Sequence, residues 1–108
     1  MNRGEIYTAA ARGAYTGKPR PVVIVQDDRF DATTSVTVCL LTTDPTEAPL
    51  LRVPVMPDEL NGLSQNNNLM VDKLVTVRRA DLRERVGRLA DEDMLRLSRA
   101  LVTFLGIA

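Results

Sequence analysis

Gly17-Lys18-Pro19-Arg20-Pro21-Val22-Val23-Ile24-Val25 is the stretch on which the fold turns. A residue that precedes proline is driven to extended backbone, and proline itself has a fixed φ. Lys18 and Arg20 each precede a proline, so the chain enters Pro21–Val25 already extended. That run is almost wholly β-branched and predicts a strand buried on both faces. Working outward, Glu5–Ala9 predicts a first short strand, and Ala11–Pro19 a loop with Gly13, Gly17 and Pro19. Asp27–Thr34 is polar and turn-like. Further strands are expected at Ser35–Leu41, Leu50–Val55, Leu69–Val77 and Val86–Leu89. Thr42-Thr43-Asp44-Pro45 ends the third strand, Asp58–Gly62 suits one helical turn, and Ser64–Asn68 a polar loop. At the end of the chain Met94, Leu97, Leu101 and Phe104-Leu105 recur at helical spacing. Asp91, Glu92 and Asp93 stand where a helix dipole favours anions, and Gly106 suits the stop. The expected architecture is mainly β: one domain over residues 1–108, a small curved antiparallel sheet with an amphipathic C-terminal helix packed on it.

Composition narrows the function. At 108 residues the chain is too small to enclose a dinucleotide in a Rossmann or barrel domain. Fourteen basic residues balance fourteen acidic ones, so no strong overall field recruits nucleic acid. The charge is uneven, however: residues 31–71 carry Arg52 alone against five acids, while residues 72–108 carry eight bases against six. A local cationic surface around Arg78–Arg88 is compatible with neutrality. Histidine is absent, which removes the usual acid–base group near neutral pH. The single cysteine, Cys39, excludes an internal disulfide and a Cys/His zinc site. No apolar run approaches the roughly 18 residues of a membrane helix, and the first residues lack a signal-peptide core. A soluble cytoplasmic protein without cofactor or metal is expected.

Three places can carry chemistry. Lys18 and Arg20 place two cations on stiff backbone at the mouth of a buried strand, and the Arg20 guanidinium matches phosphate oxygens in a planar fork. The plainer reading is a loop entering a strand with Arg20 bonded to a carboxylate. Thr42 and Thr43 offer two hydroxyls at a strand end, for a phosphate or a 2′-hydroxyl; a turn cap ahead of Pro45 is the plainer reading. Asp72 lies inside the long strand, where alternation puts it on the face of Met70 and Leu74. A carboxylate in that company has a raised pKa unless paired, and an arginine such as Arg20 is the expected partner. Asp27, Asp28 and Asp31 read more simply as a solvated turn than as metal ligands. Gln65-Asn66-Asn67-Asn68 can read base edges or form a plain loop. Arg78, Arg79, Arg83, Arg85 and Arg88 can touch a nucleic-acid backbone or form a solvated, ion-paired face.

In this order the pieces resemble the MazF/PemK family of toxins from bacterial toxin–antitoxin pairs. Met1–Tyr7 resembles the family's opening strand, Lys18–Val25 its Arg-Pro signature, and Leu41-Thr42-Thr43 its threonine-bearing strand end. Leu60-Asn61-Gly62-Leu63 followed by Leu69–Leu74 is similar to its central segment, and Val86–Leu89 into the helix to its ending. The resemblance implies an SH3-like barrel, a homodimer, a cognate antitoxin, and operator DNA bound only through that antitoxin. It implies a metal-independent endoribonuclease that cuts single-stranded RNA at short sequences, leaving 2′,3′-cyclic phosphate and 5′-hydroxyl ends. By position Arg20 and Thr42 match the family's catalytic arginine and hydroxyl residue, with Asp72 as a third member. Lys18, Gln26, Thr43 and Arg79 are the expected RNA contacts. In some relatives an arginine stands two positions before the aspartate matching Asp72; here that position is Met70, and Asn68 replaces a frequent serine. The alternative is a non-catalytic toxin of similar fold, as in the CcdB gyrase poisons, which acts by binding a protein. A third is a regulatory relative that binds antitoxin and operator only.

Overall fold

The computed structural model describes residues 1–10 and 19–107. Six strands form one antiparallel sheet: β1 (Glu5–Ala9), β2 (Arg20–Ile24), β3 (Ser35–Thr42), β4 (Arg52–Val55), β5 (Asn67–Arg78) and β6 (Leu82–Arg88), in the order β4-β5-β3-β2-β1-β6. One helix, α1 (Asp91–Leu105), follows. The loop expected over Ala11–Pro19, with Lys18 on it, lies outside the described residues apart from Pro19.

Alternation along β2 and β3 feeds two separate apolar clusters. Val23, Cys39 and Leu41 point to one, together with Ile6, Leu69, Val71, Leu97 and Leu101. Val22, Ile24, Val36, Val38 and Leu40 point to the other, with Ala9, Met70 and Leu82. This is why the run at β2 carries no polar alternation: both sheet faces are covered. The helix covers the first cluster through Leu97 and Leu101. Its first turn holds Asp91, Glu92 and Asp93, and Gly106 closes it in the left-handed conformation at φ 69°.

The sheet is curled, and a turn rather than a strand pairing bridges its two edges. Leaving β4, the chain makes one helical turn, with the Gly62 N–H donating to the Asp58 carbonyl at 3.1 Å. The turn docks on β6, where Arg88 N–H donates to the Leu60 carbonyl at 3.0 Å. Asn61 is fully buried at its centre: its amide donates to the Met56 carbonyl at 2.8 Å, and its Oδ1 accepts from Asp58 N at 3.1 Å and Leu63 N at 2.9 Å. Gly87 must be glycine here, because a Cβ would strike the Leu60 and Asn61 carbonyl oxygens.

Some boundaries depart from expectation. The strand expected at Leu50 starts at Arg52, because Leu51 N and Arg52 N both donate to the Ala48 carbonyl at 2.8 Å and bend the chain there. Asn67 and Asn68 belong to β5 and not to a loop, and the last strand begins at Leu82. The pairing of β3 with β5 jumps from Leu40↔Met70 to Cys39↔Leu74, so Val71–Lys73 form a bulge. The bulge inverts the strand's phase. Met70 joins the second cluster while Leu74 packs on the first, so the expected common face of Met70, Asp72 and Leu74 does not exist.

Candidate functional site

The paired registers line up polar side chains across the sheet. Arg20 is the partner of Ala9. Val22 faces Leu40, and continuing that antiparallel register by two residues sets Arg20 opposite Thr42. Thr42 in turn faces Asn68, and Asn68 faces Pro54. Directly opposed residues share a face with Cβ atoms about 5 Å apart. Arg20, Thr42 and Asn68 therefore form one row at the rim of the second cluster, continuing the alternation of Val22, Leu40 and Met70.

Local bonds orient this row. Thr42 Oγ1 accepts the Asp44 N–H at 3.1 Å, a bond that does not use the hydroxyl's own proton. Asn68 Nδ2 donates to the Asp44 carbonyl at 2.9 Å and fixes the same turn from the next strand. Asp44 is held below the usual carboxylate range by the Thr46 hydroxyl and backbone N–H, so the turn is anionic at neutral pH. Arg20 is exposed between Pro19 and Pro21. It lines a cleft of about 260 Å³ with Thr43, Leu63, Gln65 and Asn67. A second cleft of about 570 Å³ adjoins it, sharing Thr43 and Asn67 and extending past Arg52, Pro54 and Met56.

The other expected site residues fall elsewhere. Asp72 bonds Arg52, not Arg20: Arg52 Nη1 lies 2.5 Å from Asp72 Oδ1. That bond holds the Asp72 carboxyl below its ordinary value, so the raised pKa of an unpaired buried carboxylate does not arise. Gln26 replaces a missing ladder bond, accepting from Thr37 N at 2.9 Å and donating to the Phe30 carbonyl at 3.1 Å. Arg79 lies beside the Ser35 end of β3, opposite to Thr42, and donates through Nε to the Thr33 carbonyl at 2.5 Å and through Nη2 to the Phe30 carbonyl at 3.3 Å. Both side chains tie down the segment between β2 and β3. Asp27 caps the 3₁₀ turn Asp28–Phe30 and pairs with Arg29 at 3.0 Å. Arg78, Arg85 and Arg88 pair with Asp81, Glu5 and Asp91 as a solvated face. Cys39 is a core thiol, and burial pushes it up to about 12. The partner of Asp72 that the sequence did not single out is Arg52; its being the lone base of residues 31–71 was the available signal.

A curled six-stranded antiparallel sheet with one C-terminal helix defines a small mainly-β protein, and its strand rim sets a cation beside a hydroxyl. The chain belongs to the family described as the PemK-like, MazF-like toxin of type II toxin–antitoxin systems, which matches residues 2–105. It is 65% identical over 108 residues to the probable endoribonuclease MazF of Mycolicibacterium smegmatis, covering 100% of this chain and 99% of that protein. It is 28% identical to endoribonuclease MazF6 of Mycobacterium tuberculosis, over 94% of this chain and 93% of that one. Among solved structures, a mycobacterial endoribonuclease in complex with its cognate antitoxin superposes with a TM-score of 0.80 at 25% identity, covering 100% and 97% of the two chains. Mycobacterium tuberculosis toxin MazF-mt6 gives 0.78 at 28% identity, covering 94% and 96%.

Proposed function

We propose that this toxin-family chain is an endoribonuclease that cuts single-stranded RNA without a metal, with Arg20 and Thr42 at the reacting phosphate. The observation that carries the reading is the shared row of Arg20 and Thr42, on adjacent strands and one face. The name of the 65% identical relative supports nuclease activity over the protein-binding alternative.

The chemistry asks little more of the protein. The RNA 2′-oxygen attacks the adjacent phosphorus, a P–O bond forms, and the bond to the 5′-oxygen breaks. The products are a 2′,3′-cyclic phosphate and a 5′-hydroxyl. Charge builds on the phosphate oxygens as the transition state forms. The Arg20 fork neutralises it and the Thr42 hydroxyl proton is donated to one oxygen. With no histidine in the chain, the 2′-hydroxyl proton passes to solvent at this exposed rim, and solvent protonates the leaving oxygen. DNA lacks the nucleophile and is not cut. Lys18 and Thr43 contact the RNA beside the reacting phosphate, whereas Gln26 and Arg79 serve the fold.

The toxin acts as a homodimer in the cytoplasm and is restrained by a cognate antitoxin, through which alone it reaches operator DNA. The solved antitoxin complex of a relative supports that partner. Among the described residues no helix is long and apolar enough to cross a membrane. Incubation of purified protein with long single-stranded RNA in EDTA tests the reading. Discrete cuts with 5′-hydroxyl ends are expected. Intact RNA, or cutting that returns only with magnesium, contradicts it.

A further inference from the structure

Resting on that reading, we propose that Arg52 is a second phosphate-binding cation on the RNA track, and that Asp72 is the positioning residue that aims it. Three observations carry this.

The first is placement. Arg52 and Leu40 are both cross-strand partners of Met70, so Arg52 shares the face of the Arg20–Thr42–Asn68 row. It lies two strands across and two residues along from Thr42, about 12 Å away by ordinary strand spacing. A short run of extended RNA covers that distance. The second is the path between them. The cleft that Arg52 lines also takes in Asn68, the member of the row opposite Thr42. A strand whose reacting phosphate sits at Arg20 can therefore follow one surface to Arg52. The third is the guanidinium itself. Arg52 is largely buried, with a side chain 20% exposed. Its two bonds within the described residues, to the Leu51 carbonyl and Asp72 Oδ1, both leave through Nη1. The Nε–H and Nη2 donors remain for a ligand, in a fork that suits a phosphate. Asp72 stands on the β5 bulge, which places its carboxylate against Arg52 and not among apolar neighbours. The carboxylate expected to act at the reacting atoms therefore acts through an arginine.

The experiment compares wild type, Arg52→Gln, Asp72→Asn and Arg20→Ala on two RNAs. One spans only a mapped cut; the other extends it on both sides. Steady-state kinetics are read for cleavage. Binding is read by fluorescence anisotropy against salt, with a 2′-deoxy nucleotide at the cut to prevent turnover. Arg52→Gln is expected to raise KM on the long RNA about tenfold, the loss of a hydrogen bond to a charged group, and to lower the salt slope by about 0.7, one single-strand phosphate contact. The KM effect shrinks on the short RNA. Asp72→Asn is expected to raise KM with the salt slope retained, because the cation stays but is no longer aimed. Arg52→Lys, which keeps the charge without the fork, retains the slope at weaker affinity and covers the case in which Arg52→Gln unfolds. An unchanged KM and slope in folded Arg52→Gln overturns the proposal. A collapse of kcat in Asp72→Asn, with KM unchanged, places Asp72 in the chemistry and overturns the positioning role. Wild type that leaves long single-stranded RNA intact, so that no cut can be mapped, overturns the nuclease reading itself, before any variant is compared.

Discussion

Arg20 owes its position to the two prolines around it. They fix the backbone on which it stands, so its removal takes charge from the rim and little from the core. Arg20→Ala is expected to lower cleavage by at least about a hundredfold, the scale of a lost transition-state donor, with a melting temperature close to wild type. Loss of activity together with loss of folding contradicts that separation. Thr42→Val keeps the shape and removes both the hydroxyl proton and the acceptor for Asp44 N–H. A fall in kcat of roughly ten- to a hundredfold is expected, one hydrogen bond to a charged group. The placement of these two residues was legible because each is tied to its strand end by neighbouring proline or turn chemistry. The placement of Gln26 and Arg79 was not. Their partners are backbone carbonyls and an N–H of residues 30–37, and nothing in residue type distinguishes a side chain that binds backbone from one that binds RNA.

Among the elements, β2, β3 and α1 follow directly from β-branched runs and helical spacing. β5 follows as a strand too, but its bulge does not, because a bulge has no signature in the apolar pattern of Leu69–Val77. The consequence is concrete: without the phase inversion at Val71–Lys73, Asp72 reads as a carboxylate among apolar side chains. The closing turn shows the opposite case. Asn61-Gly62 is visible as a turn, but its burial against β6 depends on contacts remote in sequence. Asn61→Ala leaves buried groups of that turn unsatisfied and is expected to cost about 2 kcal/mol. Gly87→Ala drives a methyl into the Leu60–Asn61 backbone and is expected to cost about 1–3 kcal/mol. Urea unfolding measures both, and wild-type midpoints in these variants contradict the role given to the turn.

For the molecule as a whole, the balance of charges makes acid the revealing stress. Burial pushes Glu5 up, but its bonds to Arg85 and to the Asn2 N–H pull it further down, leaving it below 4.5. The Arg52 bond leaves Asp72 below 3.8. A carboxylate lowered on folding contributes stability above its unfolded pKa and loses that contribution as pH falls through the folded one. These groups therefore leave stability level from neutral pH down to about 5 and erode it below about 4. The Glu5→Gln, Asp72→Asn double variant is expected to lose less stability than wild type over that acid range in chemical unfolding. A wild-type loss in the variant assigns the acid sensitivity to other groups.

The central claim is that the protein positions RNA for attack by its own 2′-hydroxyl at Arg20 and Thr42. The most direct measurement replaces the ribose 5′ to a mapped cut with 2′-deoxyribose, in an otherwise unchanged RNA, and follows binding and cleavage in EDTA. Binding within a factor of two or so of the parent RNA, with no cleavage at that position, is the expected result. Cleavage at the deoxy position means that water or a protein group is the nucleophile, and contradicts the account.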